Sequence, residues 1–147
     1  MTDDLTRKDW MGLLARAPAA RLKALWDAAG DAPEFAWLRA PEAGAVMVRG
    51  RAGATGAPFN LGEMTVTRCS LRLESGEVGH AYVQGRDRDK ARIAALVDAL
   101  MQTGAAARLR AAVLEPLATA RAEARRDRAG KAAATQVQFF TMVRGED

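Results

Sequence analysis

Only one cysteine, one histidine and one tyrosine occur among the 147 residues. A single thiol, Cys69, excludes an internal disulfide and suits a reducing compartment. A single imidazole, His80, leaves no histidine set for a metal, and no Ser-His-Asp, Cys-His or paired-carboxylate arrangement can be assembled. No apolar run approaches the ~20 residues of a membrane-spanning helix. The start, Met1-Thr-Asp-Asp, is acidic and has no signal-peptide apolar segment, so the expectation is a cytoplasmic chain without membrane contact. Aromatic residues are scarce too, at 5% against 49% hydrophobic overall. Alanine fills much of that fraction, so the core is expected to be built from small side chains. Each of those buries little area, at roughly 25 cal/mol per Å², which leaves room for further burial at an interface.

What the chain does have is positive charge, net +4 with a pI of about 9.8, carried mostly by arginine. Such a balance fits nucleic acid, an anionic membrane or phosphorylated ligands, while the abundance of alanine and arginine also fits a GC-rich genome. The length fits one domain, 1–147.

The first thirty residues predict a helical pair. Thr6 is placed to cap a helix with Asp9 at the third helical position, and Leu5 and Trp10 occupy the two positions of a hydrophobic staple. Trp10, Leu13, Leu14 and Ala17 make one apolar stripe. Pro18 restarts the helix, Leu22, Leu25, Trp26 and Ala29 repeat the stripe, and Gly30 stops it. Further on, Asp87 caps a helix striped by Ile93, Leu96, Val97, Leu100 and Met101, which ends or kinks at Gly104. A last helix runs from about Ala105, with a break expected at Pro116. Its Arg121–Arg128 segment alternates in charge sign, the pattern of a solvated helix.

Between these lie the strands, so the fold class is α+β: an N-terminal helical pair, a central antiparallel sheet of about four strands, C-terminal helices and an apolar tail. Phe35 to Arg39 and Ala45 to Arg51 read as two strands parted by a Pro41/Gly44 turn, followed by a glycine-rich loop. Met64 to Glu74 and Glu77 to Gln84 form a prominent hairpin. With Ser75-Gly76 as a two-residue loop, Leu73 faces Val78, Leu71 faces His80 and Cys69 faces Tyr82 on a core face. Arg68 and Arg72 then stand opposite Val83 and Gly79, on a second face with small neighbours.

Two regions are candidates for anion binding. The loop Gly50-Arg-Ala-Gly-Ala-Thr-Gly56 offers Arg51, Thr55 and backbone amides, but lacks the Gly-Lys-Ser/Thr ending and the following helix of a phosphate loop. The hairpin offers Arg68 and Arg72, with Arg86 near its open end, and arginine's planar fork suits phosphate and carboxylate. Cys69 reads as an inert buried thiol and His80 as a satisfied core residue. The end of the chain is apolar where a frayed terminus is usual. Val137, Phe139, Phe140, Met142, Val143 and Arg144 are therefore taken as interface residues, in a strand or a final helical turn, with Val, Phe and Thr favouring the strand.

Three blocks and the tail form a specific pattern: Gly53-Ala-Thr-Gly56 running on to Phe59; Gly62-Glu-Met-Thr-Val-Thr-Arg68; Val83-Gln-Gly-Arg-Asp87 with Asp98-Ala-Leu-Met-Gln102; and Phe139-Phe-Thr-Met-Val-Arg-Gly145. On these residues the chain resembles the PhnG family, phosphonate-utilisation proteins of the bacterial carbon–phosphorus lyase system, over essentially its whole length. Ala52-Gly53-Ala54 departs from a glycine-richer loop in that family. The resemblance implies a subunit of a core complex with subunits H, I and J. That complex replaces the adenine of ATP by a phosphonate, giving α-D-ribose 1-methylphosphonate 5-triphosphate for a later radical cleavage. It also implies no catalytic residue and no cofactor in this subunit, and contact with ATP and phosphonate only through the complex; exposed apolar surfaces would let the isolated chain self-associate. The alternative is a small basic nucleic-acid-binding or other interaction module.

Overall fold

The computed structural model describes residues 5–53 and 56–144, with side chains as far as Ala134. Two helices open the chain, α1 (Arg7–Arg16) and α2 (Ala19–Ala29). Thr6 caps α1 in a reciprocal box, its side chain accepting from the Asp9 amide while the Asp9 carboxylate accepts from the Thr6 amide. Gly30 closes α2 in the left-handed conformation, at φ 75°. The helical pair is as its caps and stripes imply: Leu13, Leu14, Leu22 and Trp26 are buried, and Leu5, Trp10 and Leu25 pack against the same core.

The sheet differs from expectation in strand number and in register. Three strands pair antiparallel in the order β1 (Phe35–Arg51), β2 (Pro58–Leu73), β3 (Val78–Gln84). Pro41 does not end a strand. It lies on the edge strand, within a register shift between Arg39 and Glu42, where its missing N–H interrupts no regular ladder. The glycine-rich run from Gly50 to Gly62, expected as a loop, is paired at both ends, Gly50 with Phe59 and Gly62 with Val48. β1 runs on to Arg51 and β2 begins at Pro58.

The hairpin turn holds three residues, not two. The Leu73 amide donates to the Glu77 carbonyl at 2.9 Å, and Gly76 takes φ 108°. That single extra residue shifts the pairing by one, so Arg72 faces Val78, Ser70 faces His80 and Arg68 faces Tyr82. A one-residue slip turns every side chain of a strand to the other face. His80 and Tyr82 therefore leave the core and stand in solvent beside the arginines, while Gly79, Ala81 and Val83 point inward.

Helix α3 (Arg88–Leu100) lies on that inner face, capped by Asp87, which accepts from the Lys90 amide. It approaches β3 so closely that a Cβ on Gly79 would collide with the Ala95 carbonyl. The closeness comes from alanines at 91, 94, 95 and 99, all buried. This is the small-residue core that the composition implies. Helix α4 (Ala106–Leu109) continues through a π-helical turn, Arg110–Leu114, into α5 (Glu115–Arg144). Pro116 thus sits just after a wider turn and does not break the helix, since π turns take up the lost backbone bond. The turn's Val113 and Leu114 close the core against α2. Of the two readings of the tail over 137–145, a strand or a final helical turn, the backbone takes the helical one and continues α5 to Arg144. The alanine-rich segment before it propagates the helix, and the β preference of Val, Phe and Thr yields to context.

All the helices that cover the sheet lie on one side, and β3 spans only Val66–Arg72 of its neighbour. Beyond that point residues 45–51 and 58–65 pair with each other alone. They form a two-stranded arm of seven residues on β1 and eight on β2, roughly 25 Å long.

Candidate functional site

Strand alternation fixes what the open side of the sheet presents. Arg68, Ser70 and Arg72 of β2 share that side with His80 and Tyr82 of β3, and Tyr82 is 49% exposed. Glu42 of β1 crosses to Arg68 at 3.3 Å and pairs within its own strand with Arg39 at 2.6 Å. Those arginines hold the Glu42 carboxyl below its ordinary pKa, chiefly through the Arg39 hydrogen bond. Along the arm the same side continues through Val46, Met64 and Val48, with the Leu61 side chain folded over Gly50. Met47, Phe59 and Leu61 are exposed by 52%, 46% and 62%. A lone two-stranded ribbon is marginal in water, and large apolar side chains on one mark a contact surface.

The anion-binding candidates are spread out along this ribbon. Arg68 and Arg72 share the open face, two pleat repeats apart. Arg51 is at the far end of the arm, paired with Pro58, about ten residues or roughly 33 Å along β2 from Arg68. Arg86 is exposed in the turn between β3 and α3. Thr55 lies outside the described residues, as do the side chains of Val137, Phe139, Phe140, Met142, Val143 and Arg144, whose backbone ends α5.

One polar centre is built into the fold. The Asp98 carboxylate is fully buried and accepts from Arg7 Nε at 3.0 Å and Nη2 at 2.8 Å, Trp10 Nε1 at 2.8 Å and the His80 amide at 2.9 Å. Gln102 Nε2 adds a bond to the Val78 carbonyl at 2.8 Å. The Asp98–Gln102 block therefore ties α1, α3 and β3 together, with every partner engaged and no group poised for proton transfer. Cys69 donates to the Ala91 carbonyl at 3.3 Å, and burial pushes its thiol up to about 11, which makes it a poor nucleophile. Lys90 donates to the Ala15 carbonyl at 2.9 Å, and burial lowers its pKa. Among the described residues no group of three or more His, Cys, Asp or Glu could hold a metal.

A second charged feature was missed by reading charge signs along the sequence. Arg121, Arg125 and Arg128 follow i, i+4, i+7 spacing, so they share one face of α5, while Glu123 and Asp127 point away. That face meets Arg16 at the end of α1 and Arg21 of α2 across a cleft of about 470 Å³. Helical arithmetic would have found the stripe. The two arginines facing it come only from tertiary packing.

The comparisons agree on one family. The profile described as "Phosphonate metabolism protein PhnG" matches residues 5–145. A relative from Rhizobium meliloti (strain 1021), "Alpha-D-ribose 1-methylphosphonate 5-triphosphate synthase subunit PhnG", is 52% identical over 142 residues, 96% of this chain and 90% of its own. The match takes in the capped α1, the arm, the hairpin and the Asp98–Gln102 block together, and the chain belongs to the PhnG family of phosphonate metabolism proteins.

Proposed function

We propose that this chain is a non-catalytic assembly subunit of a cytoplasmic transferase complex. With subunits H, I and J, that complex displaces the adenine of ATP by a phosphonate to give α-D-ribose 1-methylphosphonate 5-triphosphate. The relative's name supports the activity. The observation that carries the assembly role is the β1–β2 arm, which leaves the body with Met47, Phe59 and Leu61 in solvent. The described residues also hold no nucleophile–base pair: the buried thiol is inert and the buried carboxylate fully bonded. In this reading the arm and the open sheet face dock on other subunits, and Phe139 and Phe140 at the end of α5 provide a second anchor. The reaction of ATP with phosphonate takes place only within the complex.

Met47→Ser with Leu61→Ser, and separately Phe139→Ser with Phe140→Ser, are expected to leave the isolated fold intact. Both pairs should abolish co-purification with the other subunits and growth on methylphosphonate. Normal assembly of both double variants would remove the proposal.

A further inference from the structure

The arginine cleft between α1, α2 and α5 belongs neither to the docking face nor to the core. Among the described residues, five guanidinium groups line it, from Arg16, Arg21, Arg121, Arg125 and Arg128, and no carboxylate does. None of the five makes a side-chain ion pair among the described residues, although six other basic side chains of the body do. The protein therefore holds like charges together without compensation. Like charges at i, i+4 on a helix are destabilising, and Arg121 carries the sign of it. Its pKa is lowered first by burial and then by Arg16, Arg125 and Arg128.

Leu13, Ala17 and Leu117 form an apolar floor, which weakens the competition from water for an ion bound above it. The volume, about 470 Å³, is that of a small-molecule site. Among the described residues no aromatic ring lines the cleft. A base would find nothing to stack on there, which argues against single-stranded nucleic acid. Five forked donors around one concavity instead match an anion with several phosphoryl groups, since guanidinium binds phosphate bidentately.

We propose that this cleft binds a linear oligophosphate, of the kind carried at the 5-position by the nucleotide and product of the proposed reaction. The choice of a triphosphate rests on that reading; the cleft and its charge do not. Bound there, the chain of phosphates bridges α5 to the α1–α2 pair, cancels the repulsion and holds the triphosphate end of a ligand whose reacting carbon lies on another subunit.

The test uses the full chain, and then the assembled complex, with inorganic tripolyphosphate as probe against orthophosphate at matched ionic strength. Tripolyphosphate is expected to raise the melting temperature and to bind with a measurable heat, orthophosphate to do neither. Arg16→Gln or Arg121→Gln should weaken binding about tenfold or more, roughly the loss of one charge-assisted bidentate pair. Arg121→Lys should recover part of it, and Arg88→Gln, which removes the same charge elsewhere, should leave it unchanged. Equal response to the two anions would overturn the proposal, as would equal weakening by Arg88→Gln. So would the absence of tripolyphosphate binding by the chain and the complex alike. If the complex assembles and turns over while tripolyphosphate is ignored, the cleft fails and the subunit role stands. If the cleft binds but the chain joins no complex, the subunit role fails and the cleft stands.

Discussion

At the scale of single residues, the strongest dependence is on Asp98. Its carboxylate is wholly buried, and three partners depend on it: the Arg7 guanidinium, the Trp10 indole and the His80 amide. Hydrogen bonds to a charged group contribute about 1.5–3 kcal/mol each, but the Arg7 side chain is 44% exposed and takes up water once released, so the net loss is about 3 kcal/mol. Asp98→Ala is therefore expected to lower the melting temperature by roughly 10 °C for a domain of this size, in calorimetry of the isolated chain. A change of a degree or two would mean that the clasp adds little. Asp87 gives a pH dependence. The Lys90 amide, chiefly, and the Lys23 ammonium at 3.1 Å hold its carboxyl below the ordinary 3.8. A depressed acid contributes stability that is complete above the unfolded value and is lost as pH falls through the folded one. Asp87→Asn keeps a capping oxygen but no charge. The stability gap between wild type and this variant should therefore be constant at neutral pH and close below pH 3.8. Denaturant midpoints at a series of acid pH values measure it, and a gap that widened on acidification would contradict the assignment.

Among the elements, what was legible in the sequence is what is decided locally. Thr6, Asp87 and Gly30 mark helix ends because a cap is a bond between residues a few positions apart, and each is used as its spacing implies. Register is different. Both a two-residue and a three-residue turn accommodate Ser75-Gly76, and the choice is made by whether Leu73 closes on Glu77 or lies opposite Val78. The inner surface settles it. Only Gly79 and Ala81 let α3 approach, whereas the other register would have buried His80 and Tyr82 under that helix. Pro41 and Pro116 misled for one reason: each sits where the fold has already relaxed the backbone, at an edge-strand irregularity and after a π turn. Of the candidate site, Arg68 and Arg72 were placed on a common face correctly, but with the wrong companions across the strand. The arginine cleft was out of reach because three elements distant in sequence meet there.

For the molecule as a whole, the division is between a body and an arm. The body closes its core from α1, α2, α3, the π turn and the inner halves of the strands, and every buried leucine belongs to it. The arm adds backbone pairs and little buried surface, since from Ala43 to Glu63 no described residue is buried. Replacing Val46–Met64 by Asn-Gly, a pair suited to a tight hairpin turn, keeps Ala45 opposite Thr65 and leaves the body its own ladder. The shortened chain is expected to melt within a few degrees of the parent, because hydrophobic stabilisation scales with area buried and almost none is removed. The same chain should fail to join the complex. Size-exclusion chromatography of the co-expressed subunits, beside calorimetry of the isolated chain, separates the two effects. Collapse of the fold would make the arm part of the folding unit, and full assembly without it would deny it a docking role. Loss of assembly at unchanged stability is the outcome that a ribbon held for a partner requires.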